Sequence, residues 1–146
     1  PALHTVWIEP ESVERMNRYV HDSVALVTAP LAVFLDDLAH SRGQVVIVSS
    51  QAVCDTVAEW PHYVAAKGAL EALARAAASE QRELGFLVVR PPRLLTQLAD
   101  APLARATALA PEAVTVAVLE RLAEGSDPGS VQIIDRFDRT PQASRI

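Results

Sequence analysis

The sequence holds a single cysteine, Cys54. No internal disulfide can close, and no thiolate metal cluster can form. Glycine is almost as scarce, five in 146 residues with none ahead of Gly43. A backbone turn that closes on a phosphate needs small residues free to take positive φ, so the amino-terminal part carries no phosphate-binding glycine loop. Basic charge is not in excess either: 13 Lys and Arg stand against 18 Asp and Glu, for a formal charge of −5. The basic residues are scattered, which excludes the basic face that nucleic acid requires. No uninterrupted apolar run is long enough to cross a bilayer. The amino end lacks the basic region, apolar core and small-residue cleavage site of a leader, so a cytoplasmic location with no membrane partner is the expectation. His4, His21, His40 and His62 have no ligand spacing, and no metal site is expected.

Half of the residues are apolar, enough for one domain with a real core. Ten prolines and a start at Pro1 suggest an excised domain spanning residues 1–146. Residues 5–9 form a short apolar run that predicts a strand, stopped by Pro10. Over residues 11–39, Met16, Val20, Val24, Val27, Leu31, Leu35 and Leu38 recur every three or four positions, the stripe of a helix, with a bend expected at Pro30. A turn at Ser41-Arg42-Gly43 leads to a strand at residues 44–48. Pro61 opens a long alanine-rich helix over residues 61–83, and Gly85 ends it. Residues 86–89 make an apolar strand, as a central parallel strand should be. Residues 98–110 make a short run that reads as one brief helix. A helix from Glu112 to Glu124 follows, with Pro111 at its first turn, then a strand at residues 131–134 and a polar tail over residues 135–146. Right-handed crossovers give an α/β, partial Rossmann-like three-layer fold of about four parallel strands with long crossover helices.

The chemistry-bearing residues gather in the middle. Ser50 stands at the carboxyl end of the 44–48 strand, where open α/β sheets place their sites. Tyr63 and Lys67 are four apart and share one helix face. In the loop between, Cys54 beside Asp55 lacks the electropositive setting of a reactive thiolate and reads as a buried or half-buried small residue. Trp60 reads as packing or as the wall of a pocket.

The spacing from Ser50 to Tyr63-Val64-Ala65-Ala66-Lys67, followed by a small-residue helix and then by Arg90-Pro91-Pro92-Arg93-Leu94-Leu95-Thr96, resembles the short-chain dehydrogenase/reductase family. The likeness falls on the carboxyl-terminal half of that family's domain. It implies that Tyr63 is the general acid or base, that Lys67 lowers its pKa and binds the nicotinamide ribose, and that Ser50 fixes the substrate oxygen. Asn17 is the nearest candidate for the family's relay asparagine. Pro92 and Thr96 fall at the family's Pro-Gly-x-x-x-Thr segment beside the nicotinamide, with Pro92 in place of the glycine. The resemblance also implies a homodimer through helices 11–39 and 61–83.

Two departures weigh against an intact enzyme: the missing glycine fingerprint, and Glu9-Pro10 where the family keeps small residues. The expectation is therefore a non-catalytic, reductase-like scaffold or assembly domain with no cofactor of its own, like the truncated ketoreductase-like domains of polyketide-type megasynthases. The alternative is the carboxyl-terminal half of an NAD(P)-dependent ketoreductase-type oxidoreductase, completed by another segment or chain. Cofactor-free chemistry at Ser50 and Tyr63 is a third class. In the first two, a partner must cover the strand at 5–9.

Overall fold

The fold is that of a computed structural model, which describes residues 5–55, 58–95 and 108–137. Among the described residues three prolines set helix starts: α1 (Pro10–Ser41), α2 (Pro61–Glu80) and α3 (Pro111–Glu124) each carry one in the first turn. There the missing N–H costs nothing and the fixed φ is already helical. The strands are β1 (Gln44–Val48), β2 (Gly85–Val89) and β3 (Val131–Ile134). They form a parallel sheet in the order β1-β2-β3, with Val48 opposite Val89 and Val89 opposite Ile134.

Alternation along β1 sorts its side chains between the two sheet faces. On one face Ile47, Phe86 and Val88 pack against Leu70, Ala74 and Ala78 of α2, and Val24, Val27, Leu35 and Leu38 of α1 close over them. On the other, Leu87, Val89 and Ile134 meet Val114, Ala117, Val118 and Leu122 of α3. This is the three-layer α/β arrangement. The second face is incomplete over β1, where Val46 and Val48 stay exposed, Val48 at 56%.

The segment 5–9 differs from the expectation. It forms no strand, and the sheet has three strands among the described residues. Its backbone groups are spent elsewhere: the Val6 N–H donates to the Glu59 carbonyl at 2.7 Å, and the Trp7 carbonyl accepts from the Ser12 hydroxyl at 2.5 Å. Ser12 and Glu9 also close a reciprocal cap on α1, so the helix start draws the segment off the ladder. Val6 alone is buried there, while Trp7 and Ile8 are exposed.

Several boundaries also shift. α1 runs unbroken through Pro30, and by length and apolarity it would pass for a membrane span. Part of that apolarity lies on the core, through the α1 residues packed over Ile47 and Phe86. α2 stops at Glu80, capped by Gln81, so Gly85 is the first residue of β2 rather than the end of the helix. A Cβ on Gly85 would stand 1.7 Å from Ser126 Oγ and 2.8 Å from Ser126 Cβ, so close approach demands glycine there. Phe137, assigned to a polar tail, packs on the α3-side core. The rest of that tail from residue 138 on, Thr96, and the segment through residue 107 lie outside the described residues.

Candidate functional site

The site is built where β1, β2 and α2 meet. Tyr63 and Lys67 sit in the first two turns of α2, and the Lys67 Nζ lies 5.8 Å from the centre of the Tyr63 ring. Trp60, just ahead of the helix, sets its ring edge-to-face with Tyr63 at a centroid distance of 5.8 Å. Such a T-shaped pair fixes the phenol ring. Lys67 Nζ donates to the Val48 carbonyl at 2.7 Å, and burial pulls its pKa below the ordinary lysine value. Desolvation disfavours the charged form, which is the cause.

That carbonyl is the last one of β1. The N–H of the same peptide, on Ser49, donates to the Val89 carbonyl on β2 at 2.7 Å. In a trans peptide the N–H and C=O point opposite ways, so Lys67 takes an oxygen facing away from β2, at the unpaired side of the sheet.

Ser50 stands next to this peptide, half-buried, and its hydroxyl accepts from the Ala52 N–H at 3.2 Å to cap the short 3-10 turn Gln51–Val53. That turn is tied to the β2 rim by Gln51 N–H to the Pro91 carbonyl at 3.1 Å. The rim proline Pro92 is half-buried and offers no N–H. Cys54 is exposed, contrary to the buried or half-buried reading: it caps the carboxyl end of the turn, beyond the half-buried Gln51, Ala52 and Val53.

Asn17 is exposed on α1 and joins none of these groups. Tyr19, two residues on, comes closer. It is half-buried, its ring meets His62 edge-on at 4.6 Å, and burial together with the nearby Tyr63 hydroxyl raises its pKa.

Sequence reasoning missed the charged layer below. Glu71, one turn after Lys67 on α2, is 2% exposed. It accepts from Arg90 Nε at 2.8 Å, from Arg90 Nη2 at 2.6 Å and from Ser49 Oγ at 2.6 Å. Arg75 adds a looser ion pair at 3.7 Å. The Arg90 hydrogen bonds hold the Glu71 carboxyl below the usual carboxylate range against the opposing effect of burial, and Glu71 in turn raises Arg90. A two-pronged guanidinium–carboxylate pair is the strongest geometry for such a contact. Its sequence signal was a lone glutamate on the inward side of an alanine-rich helix.

The profile of the short chain dehydrogenase family matches residues 7–121. The chain belongs to the short-chain dehydrogenase family. Among solved structures, an alcohol dehydrogenase from the archaeon Thermococcus sibiricus, complexed with 5-hydroxy-NADP, superposes with a TM-score of 0.72 at 20% identity. The match covers 92% of this chain and 58% of that one. Acetoin dehydrogenase from Enterobacter cloacae gives 0.71 at 18% identity over 92% and 59% of the two chains. A protein described as a short chain dehydrogenase/reductase family protein gives 0.71 at 23%, over 92% and 63%. No curated protein matches the chain. The chain spans about three fifths of the length of those structures, and at such identities the likeness shows the fold.

The described residues do not fit a whole dinucleotide. The connection from β1 to α2 holds no glycine, and every glycine precedes or follows it at Gly43, Gly68, Gly85, Gly125 and Gly129. No strand-to-helix glycine turn is there to cradle a diphosphate on a helix start. What the described residues do hold, near the carboxyl ends of β1 and β2, is Ser50, the Tyr63 and Lys67 pair on α2 and the Pro91-Pro92 rim.

Proposed function

We propose that the chain supplies the acid–base residues and the substrate-side rim of a short-chain oxidoreductase acting on a carbonyl or alcohol. It works once a dinucleotide-binding segment or chain joins the open side of β1. The observation that carries this reading is Lys67. Of the thirteen basic residues it is the one lysine, all the others being arginine, and it stands between the Val48 carbonyl and the Tyr63 ring. An arginine serves a surface charge as well as a lysine does. It does not replace a compact amine at a buried point. An amine held beside the phenol suits Tyr63 to give or take the proton of a hydroxyl. Ser50 at the strand end is the group to hold the substrate oxygen.

A second reading rests on Pro92 and on the absent glycine turn: a non-catalytic domain that scaffolds a larger assembly, as megasynthase ketoreductase-like domains do. Either reading needs a cover for the exposed Val46 and Val48, and the segment 5–9 does not provide it. A homodimer through α1 and α2 fits both readings. The outer side of that layer exposes Leu26 at 66% and Val33 at 72%, beside the exposed small residues Ala65, Ala72 and Ala76, and close-packing apolar surfaces of this kind suit a two-fold contact.

The test is calorimetric binding of NADPH and NADH by the 146-residue chain and by the larger protein or complex that carries it. Carbonyl reduction by Tyr63→Phe and Lys67→Arg in that larger context completes the test. The oxidoreductase reading expects binding only in the larger context and a loss of about 100-fold or more for each substitution. Unchanged rates reject the two roles. Absence of binding in both contexts leaves the scaffold.

A further inference from the structure

One peptide, Val48–Ser49, is held at three points. Its N–H donates to Val89 on β2 and its carbonyl accepts from Lys67. The Ser49 side chain, 1% exposed, donates to Glu71. Lys67 and Glu71 are one turn apart on α2, about 6 Å along the axis, so the helix grips this peptide twice. Glu71 is itself fixed from the far side by both prongs of Arg90, the first residue after β2. The height and rotation of α2 over the ends of β1 and β2 are therefore set by a buried contact that involves neither Tyr63 nor Lys67.

We propose that Ser49 and Glu71 are positioning residues that fix where the Lys67 amine stands, acting through the Val48–Ser49 peptide. The inference rests on the reading of Lys67 as a working residue only for its importance; the placement itself is a property of the folded chain. Glu71 pins the helix to Ser49, Ser49 orients the peptide, and the peptide's oxygen receives the ammonium. Without the Ser49 hydroxyl one of the two grips is lost, and Lys67 is free to leave the Val48 oxygen for water.

Because Lys67 is the single lysine, the test needs no assignment. Trace acetylation of the folded 146-residue chain with acetic anhydride modifies Lys67 and the amino terminus, and mass spectrometry gives the ratio of the two rates. The terminal amine is the internal reference. Ser49→Ala deletes one oxygen and leaves the Glu71–Arg90 pair in place; it should raise the Lys67 ratio about three- to tenfold, as expected when restraint on the order of one ordinary hydrogen bond is lost. The 13Cε resonance of labelled lysine, a single signal, should move toward that of an exposed side chain. Ser49→Thr, which keeps the hydroxyl, should restore both. Ser79→Ala removes an exposed α2 hydroxyl bonded only to the Ala76 carbonyl and should change neither. A folded Ser49→Ala chain with an unaltered ratio and resonance would overturn the proposal, because α2 alone would then place the amine. None of these readouts depends on a cofactor or on turnover, so failure of the oxidoreductase reading leaves them standing, and their failure leaves that reading open to its own test.

Discussion

Replacing Glu71 by leucine should be among the most damaging single changes in the chain. The carboxylate is 2% exposed and Arg90 16%, so the substitution strands a largely desolvated guanidinium and leaves the Ser49 hydroxyl without its acceptor. Breaking one side of a buried pair costs about 3–5 kcal/mol, and the small exposure of Arg90 places the expectation at the lower end, about 3. Against a total stability of about 5–15 kcal/mol for a single domain, that is a large share. Adding Arg90→Met removes the stranded charge and substitutes apolar volume. The double variant should return to within about 1 kcal/mol of the parent, since a well-packed apolar replacement of a buried pair is often neutral. Urea unfolding followed by tryptophan fluorescence gives all four corners of the cycle, with Trp60 beside Tyr63 as a reporter near the site. The reasoning is refuted if Glu71→Leu alone costs under about 1 kcal/mol, which would mean water already reaches the pair. A double variant as weak as the single would refute it too, by showing that shape rather than charge carries the contact.

Three further outcomes follow from the geometry. The Glu71 carboxyl is held below its usual range in the fold, so the stability it contributes is fully present above the unfolded value of about 4.3 and is lost as pH falls through the folded one; Glu71→Gln should flatten that acid limb in unfolding measured between pH 6 and 3. Gly85→Ala should cost about 1–3 kcal/mol by overpacking, because turning Ser126 clears its hydroxyl but not its Cβ at 2.8 Å; Ser126→Gly should recover most of the loss in thermal melts, and no loss from Gly85→Ala would count against the close approach. Arg42, which ends α1 with φ of 51°, should gain about 1 kcal/mol on replacement by glycine, read as a rise of a few degrees in Tm. Its exposed pair with Glu83 is a small loss beside that, and a fall in Tm would refute the strain argument.

Local signals made much of the architecture legible. The three-and-four spacing of Val24, Val27, Leu35 and Leu38 found the inner side of α1, and the apolar runs at Val45–Val48 and Phe86–Val89 found β1 and β2. The prolines at 61 and 111 marked the starts of α2 and α3. Segment 5–9 misled because its apolar pattern is that of a strand, while its backbone partners, Glu59 and Ser12, belong to a loop and a helix cap that no pattern in those residues reveals. Gly85 misled for a similar reason: a glycine after a helix reads as its end, whereas here it yields space to Ser126 across the fold. At the site, the fixed interval from Ser50 to Tyr63 and Lys67 was visible because one loop and one helix turn separate them. The Ser49–Glu71–Arg90 layer was not. Its members are 22 and 19 residues apart in pairs, just past the ends of two strands and on a helix, and only the finished fold brings them together.

The Lys67–Val48 hydrogen bond also bears on the proposed completion of the sheet at β1. An added parallel strand draws on the outward N–H and C=O groups of β1, and the last of those oxygens is already taken by the ammonium. An incoming strand must either stop short of Val48, leaving the lysine as a doorstop that fixes where the new strand ends, or displace it and turn the amine loose into the site. In the first case the lysine measures its partner; in the second the partner unlocks the lysine.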